Sequence, residues 1–212
     1  MSGRSWDTYG DWDQIASSGD ARDIMEKITG HPVERWQSNQ MTEEAVSKIS
    51  NIVIEDRMKY GHKLAAVDFG CGFGRNSELV KRFYPILYGV DIPEMIQQFT
   101  ELNPVGALKN YNALYTDFEK LASSREFHCL YDSVVFQHIK DNDFVTKSAQ
   151  TMHETASMGC VISLVCGPLG KTALITNLEN LGWRIYHTSV DHASFYGYEH
   201  NLFILRRGDS AT

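Results

Sequence analysis

Three glycines alternate in "VDFGCGFGR", at Gly70, Gly72 and Gly74, directly after a short apolar run that ends near an acid, Asp68. A glycine turn between a strand and a helix removes the Cβ atoms that would hold a ligand off the backbone. It also aims the first N–H groups of the helix at whatever lies there. Nicotinamide dinucleotides use the spacing G-x-G-x-x-G; here the spacing is G-x-G-x-G and the sixth position is Arg75. The next apolar run, "ILYGVDI", ends in Asp91 and Ile92. A carboxylate at that place can accept from two ribose hydroxyls side by side. Farther on, "YTDF" sets Asp117 beside Phe118, an acceptor for an exocyclic amino group next to a ring that can pack on a base. These residue types, in this order, describe a site for a ligand that contains adenosine.

The elements that must position them alternate. From Leu64 onward, short apolar runs ("KLAAVDF", "ILYGVDI", "YNALYTDF", "HCLYDSVVF", "GCVISLVCG") alternate with helical patterns such as "RNSELVKRFY", "PEMIQQFTEL", "NDFVTKSAQTMHETA" and "KTALITNLENLG". Alternation of this kind implies a mostly parallel sheet covered on both faces. The continuous apolar "GCVISLVCG" suits a strand buried on both sides. Only the ten residues "DHASFYGYEH" separate the last two runs, "WRIYHTSV" and "NLFILRR". A parallel crossover needs roughly a dozen or more residues, so the last pair is predicted antiparallel. The expectation is an α/β fold with seven strands, six parallel and the last reversed. Residues 1–61 read as an N-terminal helical extension or lid, and residues 62–212 as the Rossmann-like domain. The extension ends in the long pattern "TEEAVSKISNIVIEDRMKYG", with Val46, Ile49 and Val53 on one face and Gly61 as its stop.

The set "VDFGCGFGR", "YGVDIPEMI", "YTDF" and "YDSVVFQHI", with a reversed last strand, resembles the class I S-adenosylmethionine-dependent methyltransferases. The resemblance runs from about Leu64 to Arg207 and is strongest from Val67 to Ile96. It implies a doubly wound sheet in the order 3-2-1-4-5-7-6 and S-adenosylmethionine as cofactor. It places Gly70, Gly72 and Gly74 under the methionine part, Asp91 on the ribose and Asp117 on the adenine amino group. Asp68 matches the acid that orients either the loop or the amino group of the cofactor. Phe136 and Gln137, at the end of the fourth strand, match the segment lining the sulfonium. The stretch around Asp117 departs from the pattern by lacking a regular strand periodicity.

Ligands of open α/β sheets bind beyond the carboxyl ends of the parallel strands. Two stretches reach that edge: "FQHI", carrying His138, and "DHASFYGYEH", carrying His192, Tyr196, Tyr198 and His200. His138 and His192 are the candidate catalytic residues, because imidazole titrates near neutral pH and can take an acceptor's proton. Tyr196 and Tyr198, with Tyr9 and Trp12 of "SWDTYGDWD", are candidates for binding the acceptor, since rings among carboxylates suit a cationic or planar group. The spacing of Asp191, His192 and His200 matches no established metal site, and none is expected.

The 212 residues carry a net charge of -7, which disfavours a phosphate backbone as partner. No run has transmembrane length or the apolar core of a signal peptide. Cys71, Cys129, Cys160 and Cys166 sit mostly in apolar runs without C-x-x-C spacing, as reduced thiols of a cytoplasmic protein would. The function expected is methyl transfer from S-adenosylmethionine to a small-molecule acceptor, through oxygen or nitrogen, with neither nucleic acid nor membrane as partner. The alternatives are an NAD(P)-dependent oxidoreductase, which shares the sheet and the glycine turn, and a non-catalytic S-adenosylmethionine-binding partner protein.

Overall fold

A computed structural model describes residues 40–61, 64–72, 77–91, 95–97, 111–114, 127–133, 135–155, 160–166, 171–191 and 200–207. Its strands are β1 (Ala65–Phe69), β2 (Ile86–Val90), β3 (Tyr111–Leu114), β4 (Cys129–Ser133), β5 (Cys160–Cys166), β6 (Trp183–Asp191) and β7 (His200–Arg207). They form one mixed sheet in the order β3-β2-β1-β4-β5-β7-β6. β1 pairs parallel with β2 and β4, β2 with β3, and β4 with β5. β7 runs antiparallel to both β5 and β6. Residues 192–199 alone join β6 to β7, too few for a helical crossover.

Alternation along each strand divides the core into two layers. Ala65, Val67 and Phe69 of β1 point to one side, with Leu130, Val161, Phe203 and Leu205 of the neighbouring strands. That side is covered by α3 (Asn142–Thr155) and α4 (Ala173–Asn180), through Val145, Ala149, Met152, Leu174, Ile175 and Leu178. Ala66, Leu87, Tyr131, Ile162, Leu202 and Ile204 point to the other side. There α1 (Gln40–Tyr60) packs Ala45, Ile49, Ile52 and Val53, and the short α2 (Ser77–Lys81) packs Val80. Full burial of each large aliphatic chain contributes about 1.5–3 kcal/mol. The Glu55–Arg206 ion pair and the Glu44–His187 hydrogen bond at the rim of α1 are partly exposed and worth at most about 1 kcal/mol each. Apolar packing therefore docks α1. The helix stops at Gly61, whose φ of +72° lets its N–H return to the Arg57 carbonyl at 2.9 Å.

Two elements differ from expectation. The helix after the glycines was predicted over 75–84, but the described helix ends at Lys81, and the N–H groups of Phe83 and Tyr84 both turn back to the Val80 carbonyl at 3.1 Å. Pro85 has no N–H to continue the ladder and disfavours helical backbone at Tyr84, whose side chain is buried under the sheet. The fourth strand was predicted to run to Phe136, but β4 ends at Ser133 and Phe136–His138 forms a single 3₁₀ turn. Phe136 and Gln137 thus lie beyond the strand, for a reason that belongs to Asp132 and is given below. Among the described residues no helix is long and apolar enough to cross a membrane.

Candidate active site at the carboxyl edge of β1, β2 and β4

β1 brings Asp68 and Phe69 to the carboxyl edge, and the chain then turns at Gly70 and Gly72 with φ of +67° and +51°. Both are left-handed values that a residue with a Cβ adopts at a cost. The N–H groups of Gly70 and Cys71 both donate to the Val90 carbonyl, at 2.7 and 3.2 Å, which bends the turn over the end of β2. The two glycines serve different needs. A Cβ on Gly70 would overlap Val135 Cγ2 and stand 3.0 Å from its Cγ1. A Cβ on Gly72 would meet only Met95 Cε, at an ordinary 3.6 Å. Gly70 is therefore required by packing inside the protein. Gly72 leaves bare backbone at the surface of the turn, which fits the close approach that a nucleoside cofactor needs.

Two acids hold the turn. Asp91, just past β2, accepts from the Gly72 N–H through Oδ2 at 2.7 Å. A carboxylate offers about four lone-pair sites, so one loop amide does not exhaust it. Asp68, 2% exposed, accepts from the Ser77 hydroxyl through Oδ2 at 2.5 Å. It thereby ties the end of β1 to the first residue of α2, across the whole glycine turn.

The third wall comes from β4. Asp132 is 1% exposed, and its Oδ1 accepts from the N–H groups of Val135 and Phe136 at 3.0 and 3.2 Å. Its Oδ2 accepts from the Ser163 hydroxyl of β5 at 2.8 Å. The two amides that would extend the ladder are thus taken by a side chain, and β4 ends early. The Phe136 ring then lies on Phe69, centroids 4.4 Å apart, and the next two residues, Gln137 and His138, stand half-buried at the edge. His138 Nε2 lies 3.2 Å from Gln137 Nε2.

Burial pushes the Asp132 carboxyl up to about 6, although its three hydrogen bonds pull the other way. The folded chain then holds that proton more tightly than the unfolded chain does. Stability contributed at this site therefore rises as pH falls from 6 towards 4, and above pH 6 the buried charge opposes folding. Relative to Asp132→Asn, which does not titrate, the wild-type chain is expected to gain about 1 kcal/mol between pH 7 and pH 5. Urea unfolding of both proteins at the two pH values checks it; a difference that stays constant refutes the shift.

The structure brings together Asp68, Gly70, Gly72, Asp91, Phe136, Gln137 and His138 at one edge of the sheet. Gly74, Ile92, Asp117, Phe118, His192, Tyr196, Tyr198, Tyr9 and Trp12 lie outside the described residues. Asp191 and His200 are register partners at the same edge, with Cys166 on the other side of His200. Among the described residues no three His, Cys, Asp or Glu side chains converge to hold a metal ion. Sequence reasoning missed Asp132, Ser163 and Val135. A signal existed: Asp132 and Ser163 each interrupt a run of buried apolar residues, and a polar group in such a run needs a partner.

The family model described as a methyltransferase domain matches residues 67–155, which hold the glycine turn, both edge acids and the β4 turn. By sequence, no curated protein matches the chain. By structure, the chain is similar to the N-methyltransferase NodS from Bradyrhizobium japonicum WM9, solved with S-adenosyl-L-homocysteine, at 13% identity and a TM-score of 0.61, covering 90% of this chain and 100% of that one. It is similar to magnesium protoporphyrin IX methyltransferase (ChlM) from Synechocystis PCC 6803, solved with S-adenosylmethionine, at 17% identity and a TM-score of 0.61, covering 98% and 100%. A third likeness is to an S-adenosylmethionine-dependent methyltransferase from Clostridium acetobutylicum ATCC 824, at 14% identity and a TM-score of 0.55, covering 77% and 92%. Residues 67–155 thus match a methyltransferase domain, and the sheet around them has the fold of these S-adenosylmethionine-dependent methyltransferases.

Proposed function

We propose that the chain transfers the methyl group of S-adenosylmethionine to a small-molecule acceptor, at an oxygen or nitrogen atom. The observation that carries the reading is the turn at Gly70 and Gly72, held from below by Asp91 and faced by the Phe136–His138 turn. When bound, the cofactor supplies a methyl group already activated on a positively charged sulfur. Gly70, Gly72 and Gly74 hold its methionine part, Asp91 and Ile92 its ribose, and Asp117 and Phe118 its adenine. Asp68 acts through Ser77 as the residue that orients the loop, a role its buried hydrogen bond supports. Asp68, Asp91 and Asp132 end three neighbouring strands, and their negative potential suits a cationic donor.

The acceptor side is the wall of Phe136, Gln137 and His138. Phe136 excludes water, and the Gln137 NH₂ lies against the His138 Nε2 lone pair. Once the acceptor displaces that NH₂, the freed Nε2 takes the proton that an oxygen or ammonium acceptor must lose, a contribution of about 10²–10⁴ in rate. Alignment of acceptor and methyl contributes more, up to roughly 7–11 kcal/mol of the barrier. His192 of the β6–β7 connection is assigned as a second base, and Tyr196, Tyr198, Tyr9 and Trp12 are assigned to binding the acceptor. A small acceptor is supported by the magnesium protoporphyrin IX methyltransferase, matched over the full length of that chain. The net charge of -7 runs against a polyanionic substrate. The buried thiols of Cys71, Cys129 and Cys160 suit a reducing, cytoplasmic location.

Calorimetric titration tests the donor. S-adenosylmethionine is expected to bind in the micromolar range, about -8 kcal/mol, and NAD to leave the melting temperature unchanged. No binding at millimolar S-adenosylmethionine sinks the reading. Formation of S-adenosylhomocysteine with small hydroxyl or amine acceptors separates an enzyme from a non-catalytic binding protein.

A further inference from the structure

We propose that Asp132 is the positioning residue of this site: it locks the acceptor-side turn, Val135–His138, onto the glycine turn, so that the two walls keep one relative placement. The inference rests on the reading of the site given above. Asp132 sits in register between Phe69 of β1 and Ser163 of β5, at the point where β4 leaves the sheet. Its partners are two backbone amides and one hydroxyl, so no opposite charge offsets the cost of burying the carboxylate. A position that served packing alone would be filled better by an apolar residue. The carboxylate instead does something an apolar residue cannot: it takes two consecutive amides on one oxygen and forces the chain to curl, closing the turn with the His138 N–H on the Val135 carbonyl at 2.9 Å.

Each residue held in this way touches the cofactor side. Val135, whose amide Asp132 holds, presses its side chain on the bare α-carbon of Gly70. Phe136, whose amide Asp132 also holds, lays its ring on Phe69, the residue before that glycine. Gln137 and His138 follow directly, so their placement relative to the glycine turn is inherited from the two residues before them. At 1% exposure Asp132 itself meets neither acceptor nor donor and acts only through the turn. Ser163 holds the second carboxylate oxygen and keeps the first aimed at the amides.

The test compares wild type, Asp132→Asn, Asp132→Ala and Ser163→Ala. Asparagine keeps an oxygen for both amides and can donate its NH₂ to Ser163, so it is expected to preserve the turn. In Asp132→Ala, hydrogen exchange at the Val135 and Phe136 amides is expected to accelerate about tenfold or more beyond the change at core amides of β1 and β5. S-adenosylmethionine affinity by calorimetry should fall several-fold in the same variant. Ser163→Ala should give a smaller acceleration at the same two amides, and this variant decides the matter if Asp132→Ala does not fold. Exchange at Val135 and Phe136 that follows only global stability, or an asparagine variant as impaired as the alanine one, overturns the proposal. Failure of the functional reading shows separately, as a wild-type chain that ignores S-adenosylmethionine while its amides still respond to Asp132.

Discussion

Gly70→Ala is expected to destabilise the folded chain by about 2–5 kcal/mol and to abolish S-adenosylmethionine binding. Two costs add. The backbone at Gly70 has φ +67°, where a Cβ costs about 1–2 kcal/mol. The new methyl group would also overlap Val135, an overpacking cost of about 1–3 kcal/mol. The neighbour cannot yield freely, because the Val135 amide is fixed on Asp132 at 3.0 Å. Against a total stability of about 5–15 kcal/mol, the loss is a large fraction.

The two costs can be measured apart. Gly61 has nearly the same dihedral, φ +72°, with no atom within 4 Å of an added Cβ. Gly61→Ala should therefore show the dihedral cost alone. Val135→Ala removes both Cγ atoms that meet the new methyl group, leaving Val135 Cβ at 3.1 Å. The double variant Gly70→Ala/Val135→Ala should thus recover most of the steric part and none of the dihedral part. Urea midpoints at constant slope give each value, and a double-mutant cycle gives a coupling of at least about 1 kcal/mol. If Gly70→Ala costs no more than Gly61→Ala, the packing of Val135 on the turn is not tight and the coupling of the two walls falls with it.

The contrast between Gly70 and Val135 also explains which parts of the molecule were readable from residues alone. "ILYGV" and "CVISLVC" read as strands because a strand covered on both faces has few polar positions to mislead. The glycine turn and the placement of Asp91 at the end of β2 were readable because each is a local signal, alternating glycines and an acid closing an apolar run, within about twenty residues of chain. The end of β4 was not. Val134, Val135 and Phe136 are all strand formers, and nothing near them in sequence shows that Asp132 takes the amides of Val135 and Phe136. The partner that aims Asp132 is Ser163, one strand and a whole helix later. The use of Gly70 as a packing glycine likewise depends on Val135, which the fold and not the sequence brings beside it. The early end of α2 differs again, because Pro85 was a local stop signal and outweighed the apolar period of Phe83 and Tyr84.

The second large effect is expected at Asp91, which holds the loop and is proposed to hold the ligand as well. Asp91→Ala should weaken S-adenosylmethionine binding by roughly a hundredfold or more, since hydrogen bonds to a charged acceptor contribute about 1.5–3 kcal/mol each and two ribose hydroxyls are at stake. It should also lower the stability of the free protein by about 1 kcal/mol, because the Gly72 amide loses the carboxylate it meets at 2.7 Å. Asp91→Asn divides the two roles. Its amide oxygen can keep the Gly72 N–H, which leaves an NH₂ group, a donor, where the hydroxyls need an acceptor. Free-state stability should then stay near wild type while affinity falls about tenfold. Calorimetry for affinity and urea unfolding for the free protein read the two quantities independently. Affinity within twofold of wild type in Asp91→Ala removes Asp91 from the ribose, whereas unchanged stability removes it from the loop. If both roles hold, one carboxylate joins the floor under the methionine part to the clasp on the ribose. Cofactor binding should then slow hydrogen exchange at the Gly72 amide in the wild-type chain, and less so in Asp91→Ala.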